Sequence, residues 1–155
     1  KFREDQNFRY FMKNKFRYGA VGNSDGHKGH IGSSGLTAVY APSLEKDVIL
    51  EAYRKRNVYG TTNARIRVLF EANGELMGAV IPNSPEKVFR IDVQGENNLK
   101  SVELIRNGEL HSRFIPDGVI FKEELTVTDD EPSNWYLRVV QLDNHAAVSS
   151  PVFFE

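Results

Sequence analysis

The segment GNSDGHKGHIG, residues 22–32, brings Asp25, His27 and His30 close together. A hard carboxylate and a neutral imidazole are ligands suited to Zn, Mn or Fe. In an extended segment positions i and i+2 point the same way, so Asp25 and His27 could reach one ion. Gly22, Ser24, Gly26 and Gly29 leave room for close approach of backbone or substrate. The chain has no cysteine, so any metal site must be built from His, Asp and Glu. His30 is a candidate third ligand. The alternative is a polar surface loop in which Asp25 makes a turn contact and the histidines face water.

Positioning these residues requires strands and helices on either side. Phe8, Phe11, Met12 and Phe16 fall at helical spacing and predict a short helix with an aromatic stripe. YGAVGN (18–23) reads as a buried strand with close neighbours, which would set Asp25 and His27 just past its C-terminal end. Open α/β sheets and barrels put their chemistry there. A Gly/Ser-rich loop follows over 24–35, then a strand, LTAVYA (36–41). A helix is expected from 44 to about 55. Ser43 is its N-cap, Leu44, Val48, Ile49, Ala52 and Tyr53 its apolar face, and Arg54, Lys55 and Arg56 its solvated basic end.

Beyond residue 58 the pattern turns to β. Ile66, Val68 and Phe70 alternate inward before an Asn73-Gly74 turn, and Phe89, Ile91 and Val93 alternate against Lys87, Arg90 and Asp92. Asn107-Gly108 marks a second hairpin. VIFKEELTV, WYLRVVQL and AVSSPVFFE add three strands, the last two joined across Asp143-Asn144. About seven such strands predict an immunoglobulin-like antiparallel sandwich, without the cysteine pair of a true immunoglobulin domain. The fold class is therefore α+β and mainly β, with an incomplete α/β segment over 1–62 and the sandwich over 63–155. His111 and His145 lie near turns and read as surface residues. Arg65, in TTNAR at the entry to the β part, is a candidate for holding a phosphate.

The composition, 40% hydrophobic and 26% charged among 155 residues, is that of a globular protein. A formal net charge of −1 gives no reason to expect a nucleic-acid or anionic-membrane partner. No apolar run approaches the roughly 20 residues needed to span a bilayer. KFREDQNFRYF is charged from its first residue, unlike a signal segment, and the absence of an initiator Met suggests a processed chain or a fragment of something longer.

GNSDGHKG followed by GLTAVYA, a helix ending in EAYRKR, and VYGTTNARI leading into a β domain resembles the C-terminal part of PHP-superfamily metallohydrolases, relatives of the polymerase and histidinol phosphatase domain. The likeness runs from about residue 17 to the end. It implies a barrel-like α/β fold, divalent metals (Mn, Zn or Fe), an activated water, and a small phosphoester or ester substrate. Only Asp25 and His27 match the family's terminal D-x-H ligand motif. The H-x-H pair and other ligands of the family lie upstream of this motif, and no H-x-H occurs here.

Three expectations follow. The first is a C-terminal portion of such a hydrolase, inactive alone. Its partner would be the missing N-terminal part of the parent, and its exposed α/β remnant would favour oligomers. The second is a non-catalytic β-sandwich binding module, using Trp135 or Tyr136 as exposed aromatics. The third is a self-sufficient mononuclear site of Asp25, His27 and His30.

Overall fold

A computed structural model of the chain describes residues 7–27 and 32–155. In chain order its elements are α1 (Phe8–Lys13), β1 (Leu36–Val39), α2 (Lys46–Arg54), β2 (Val58–Thr61), β3 (Arg67–Ala72), β4 (Glu75–Leu76), β5 (Val80–Ile81) and β6 (Glu86–Gln94). There follow β7 (Leu99–Arg106), β8 (Glu109–Phe114), β9 (Ile120–Thr128), β10 (Ser133–Gln141), β11 (Ala146–Ser149) and β12 (Val152–Phe154). The architecture is mainly β, with two sheets and few, short helices, as in β-sandwiches in general. No helix among the described residues is long and apolar enough to cross a membrane.

The alternating pattern read from the sequence sets the small sheet, β4-β3-β6-β9. Val68 and Phe70 on β3 and Phe89, Ile91 and Val93 on β6 all turn inward and are buried. They meet Val102, Leu104, Trp135, Leu137, Val139 and Phe154 from the large sheet in one core. Both Asn-Gly turns form as expected. Asn73 and Asn107 have φ 49°, and Gly74 and Gly108 have φ 82° and 78°, the left-handed pair that a two-residue hairpin demands.

The eight-stranded sheet is organised around β10. One edge of β10 pairs along its length with β7, which carries β8. The other edge is shared: Arg138–Val140 pair with β11, and Ser133–Trp135 with β12. From β11 the sheet continues to β2 and β1, and from β12 to β5, the one parallel pairing among the described strands. AVSSPVFFE is thus two strands rather than one, broken at Ser150-Pro151, where proline has no N–H for a ladder. β2 joins β11 through Thr61–Ala147, Gly60–Val148 and Tyr59–Ser149, so the large sheet runs across residue 62 without interruption.

Four local expectations need correction. YGAVGN is not a sheet strand. It runs over the face of β1 and β2, with only Ala20 of its residues buried. α2 begins at Lys46 with Glu45 as N-cap, while the Ser43 hydroxyl only accepts a 3.4 Å bond from the Glu45 N–H. Leu44 consequently lies outside the helix and is exposed, and Tyr53 is also exposed. Arg54 and Lys55 pair with Glu51 in solvent, but Arg56 turns inward: its Nε donates to the Gly78 carbonyl at 3.0 Å and its guanidinium lies over Phe153.

The fourth correction is Lys87, read as outward-facing and in fact 0% exposed. It shares its parity with Phe89, and its ammonium emerges at the end of the sandwich. There Nζ donates to Asn83 Oδ1 at 3.0 Å, to the Ser84 carbonyl at 2.9 Å and to the Asp129 carbonyl, using all three donors. It also lies 4.8 Å from the centre of the Phe154 ring. The Asp129 carboxylate takes a two-pronged bond from Arg106, 2.7 Å at each oxygen, and a third from the Ser133 hydroxyl at 2.9 Å. Ser133 in turn accepts the Trp135 indole N–H at 2.8 Å. Strands β6, β7, β9 and β10 are tied together at this one end.

Candidate functional site

Asp25 and His27 lie on the loop that leaves the 18–24 segment, and both are exposed. Glycines fix where that segment sits. An ideal Cβ on Gly22 would lie 2.5 Å from the Leu36 carbonyl oxygen, and one on Gly60 would lie 2.8 Å from the Gly22 nitrogen. Two backbones therefore touch where side chains would normally hold them apart. The Thr37 hydroxyl fastens the contact, accepting from the Gly22 N–H at 3.1 Å and donating to the Gly22 carbonyl at 2.8 Å. Ala20 N–H donates to the Ser150 hydroxyl at 3.0 Å, and the Ser34 hydroxyl bonds the Ser24 carbonyl at 2.7 Å.

Asp25 itself has φ 47°, a left-handed conformation that aspartate tolerates better than most residues. Among the described residues neither Asp25 nor His27 makes a hydrogen bond or ion pair. His30, the suggested third ligand, lies outside the described residues. Among the described residues no three His, Asp or Glu side chains come together as a metal-binding group. Two donors fall short of the three protein ligands usual for a catalytic zinc. The donor set described here does not fit a resident metal by itself.

The other candidates are dispersed. Arg65 is exposed, and its backbone N–H donates to Glu96 Oε2 at 2.9 Å. His145 is bound through Nδ1 to the Thr62 carbonyl and lies 3.2 Å from the Thr62 hydroxyl, closing the β2–β11 junction. His111 packs edge-on against Trp135 with ring centres 4.9 Å apart. Its burial, then the nearby Arg106 charge, holds its pKa below the ordinary imidazole value. Trp135 and Tyr136 are both buried, so neither is the exposed aromatic a binding face would need. Trp135 belongs to the core, while Tyr136 lies on the opposite face of the large sheet beneath Phe8, with ring centres 5.2 Å apart.

That outer face holds the feature the sequence did not disclose. α1 lies across it, with Met12 wholly buried against Ile105, Tyr136 and Phe153. Asn134 Nδ2 donates to the Met12 carbonyl at 2.8 Å, and Lys13 reaches Glu109 at 2.8 Å. On one side of α1 is a polar cleft where Arg113 and Arg138 each bond buried Glu103 at 3.1 Å. On the other is an apolar groove of about 450 Å³, with Gly60 and Val148 at its floor and Phe8, Phe11, Tyr18 and Val21 along its sides. No residue lining it carries a charge. Its walls come from positions far apart in sequence, brought together where Gly22 meets Gly60.

A two-sheet, mainly-β protein is thus defined, with the glycine-seated Asp25–His27 loop beside an apolar groove. The chain belongs to the family described as "Protein of unknown function (DUF3604)", whose model matches residues 7–88 and so includes Asp25, His27 and Arg65. It is 33% identical over 142 residues to an "Uncharacterized protein" of Chlamydia muridarum, covering 79% of this chain and 23% of that relative. Relatives in Chlamydia trachomatis and Chlamydia pneumoniae align over the same length at 33% and 32% identity. The chain spans 23% of the length of these curated relatives. No solved structure matches it.

Proposed function

We propose that the chain is a non-catalytic interaction module, an immunoglobulin-like β-sandwich that serves a larger protein through its outer sheet face. The uncharged groove beside α1 carries this reading, because exposed apolar concavities of that size mark contact sites on soluble domains. Incubated with Mn, Zn or Fe and p-nitrophenyl phosphate, the isolated chain is expected to hydrolyse no faster than the metal alone. Turnover that disappears in the His27→Ala variant would overturn the module reading.

A second reading rests on Asp25 and His27, two exposed side chains without partners among the described residues, on a loop seated by glycines. Here the chain supplies the last D-x-H ligand pair of a PHP-like metal-dependent phosphoesterase, and the remaining ligands and the rest of the barrel-like α/β domain come from elsewhere in the parent. Asp25 and His27 would hold a divalent ion, which supplies Lewis acidity and an ionised water when bound. Arg65 would face the phosphoester. With two donors alone, no hydrolytic step can be drawn within this chain. Elemental analysis of the full-length gene product is expected to find a divalent ion whose affinity falls at least about tenfold in His27→Ala, since losing even a partner that only supports a ligand commonly costs that much. Unchanged metal content in that variant would remove His27 from the ligand set.

A further inference from the structure

We propose that the apolar groove between α1 and residues 18–22 is the seat of the remainder of the polypeptide, the part that the relatives carry beyond the aligned 142 residues. This rests on the interaction-module reading and names its partner.

The groove dictates the chemistry of its occupant. Its lining is aromatic, aliphatic or glycine apart from two threonines, so it offers nothing to an anion, a nucleic acid or a charged peptide. What fits is an apolar face of folded protein. The surroundings ask for the same cover. Val21 is 52% exposed, and Phe16 and Tyr18, both exposed, stack with ring centres 5.6 Å apart beside the groove. The 18–24 segment passes from the groove wall across β1 and β2, and β1 ends the large sheet with one edge unpaired among the described strands. Its residues Leu36–Val39 include no charge and no proline, the usual protections of a free edge. Groove, exposed aromatics and open edge form one continuous side of the molecule.

Several occupants could satisfy that surface in principle, and length selects among them. Because the chain spans 23% of its curated relatives, most of such a polypeptide lies outside the aligned region and is covalently tethered to it. A tethered partner acts at an effective concentration near the millimolar range, well above that of a free partner or a second copy making equal contacts. The Asp25–His27 loop continues directly from the same segment, so the docked portion would also lie against the two candidate ligands.

The absence of cysteine makes the test direct. Val21→Cys reports on the groove wall, and Ile115→Cys, at a position 73% exposed, serves as the remote control. Each is placed in the isolated chain and in the full-length gene product, and alkylation of its own peptide by N-ethylmaleimide is followed by mass spectrometry. A covered thiol reacts only through local opening, so the Val21→Cys rate is expected to drop at least about tenfold in the full-length product, with Ile115→Cys unchanged. Tyr18→Cys should repeat the pattern. Equal Val21→Cys rates in the two proteins would overturn the proposal. Protection already present in the isolated chain and rising with its concentration would also overturn it, in favour of a second copy. Hydrolysis by the isolated chain bears on the module reading alone, because the labelling reads no activity.

Discussion

Asp129→Ala is expected to destabilise the protein by about 3–5 kcal/mol, the usual cost of removing one partner from a buried ion pair. For a chain of this length that is a fall in Tm of about 10 °C. The size follows from what the carboxylate holds. Its side chain is 11% exposed, it takes both prongs of Arg106, and it lies 3.7 Å from an ammonium with no exposed surface. Without it, Lys87 keeps its carbonyl and amide partners but loses its counter-charge. Burial already lowers the pKa of this ammonium, against the pull of Asp129. Adding Lys87→Met to Asp129→Ala is therefore expected to recover part of the loss, since the ammonium is then no longer buried without its counter-charge.

The same carboxylate sets an acid limit. Burial pushes its pKa upward, but the Arg106 guanidinium and Ser133 hydroxyl outweigh burial and bring it down to about 2. A folded-state pKa below the unfolded value means that the unfolded chain takes up the proton first. The stabilisation is complete above pH 4 and is lost as pH falls from there toward 2. Roughly 2 kcal/mol should disappear across that window. Denaturant titrations at pH 6 and pH 2.5 should show this slope in the wild type and a shallower one in Asp129→Ala. Equal slopes would remove Asp129 as its source.

Gly60→Val is expected to unseat residues 19–24 while leaving the sandwich core in place. A Cβ at Gly60 would fall 2.8 Å from both the Gly22 nitrogen and the Val21 carbonyl carbon, which are backbone atoms that cannot swing aside. The segment must lift, losing the Thr37 bonds to Gly22 and the Ser150 bond to Ala20. Net hydrogen bonds are worth about 1 kcal/mol each, so the local loss should reach about 3 kcal/mol. Amide exchange over 19–27 should accelerate roughly 100-fold, as follows from that free energy. Trp135 fluorescence should stay native. Unchanged exchange in this segment would mean that the glycine contact does not hold the Asp25–His27 loop.

The parts of the fold legible in the sequence are those set by local rules. Alternation at Ile66–Phe70 and Phe89–Val93 reflects a sheet with one face on the core, and the two Asn-Gly pairs supply the positive φ of tight hairpins. Lys87 escaped because a charge at an inward position looks like a polar face until its three acceptors are brought together from residues 83, 84 and 129. Trp135 and Tyr136 escaped for the opposite reason. Alternation suggests that one of two neighbours is exposed, but α1 covers the second face as well. YGAVGN looked like a strand because its small residues do signal a close neighbour. They signal contact with the face of a sheet, and period-two reading cannot tell that from an edge. Of the candidate site, Asp25 and His27 could be named from type and spacing alone, whereas the groove is assembled from α1, β2 and β11 and has no local signature.

The pairing of β2 with β11 has a consequence for how the protein is made. Thr61 must wait for Ala147 to leave the ribosome before the large sheet can form, and β1 waits with it. During that interval the β1–β2 pair, joined through α2, presents two uncharged strands with both edges open. Contacts of such long sequence separation form slowly, and unpaired edges are where nascent chains stick to one another. Synthesis of this protein should therefore lean on holding chaperones until the last two strands emerge.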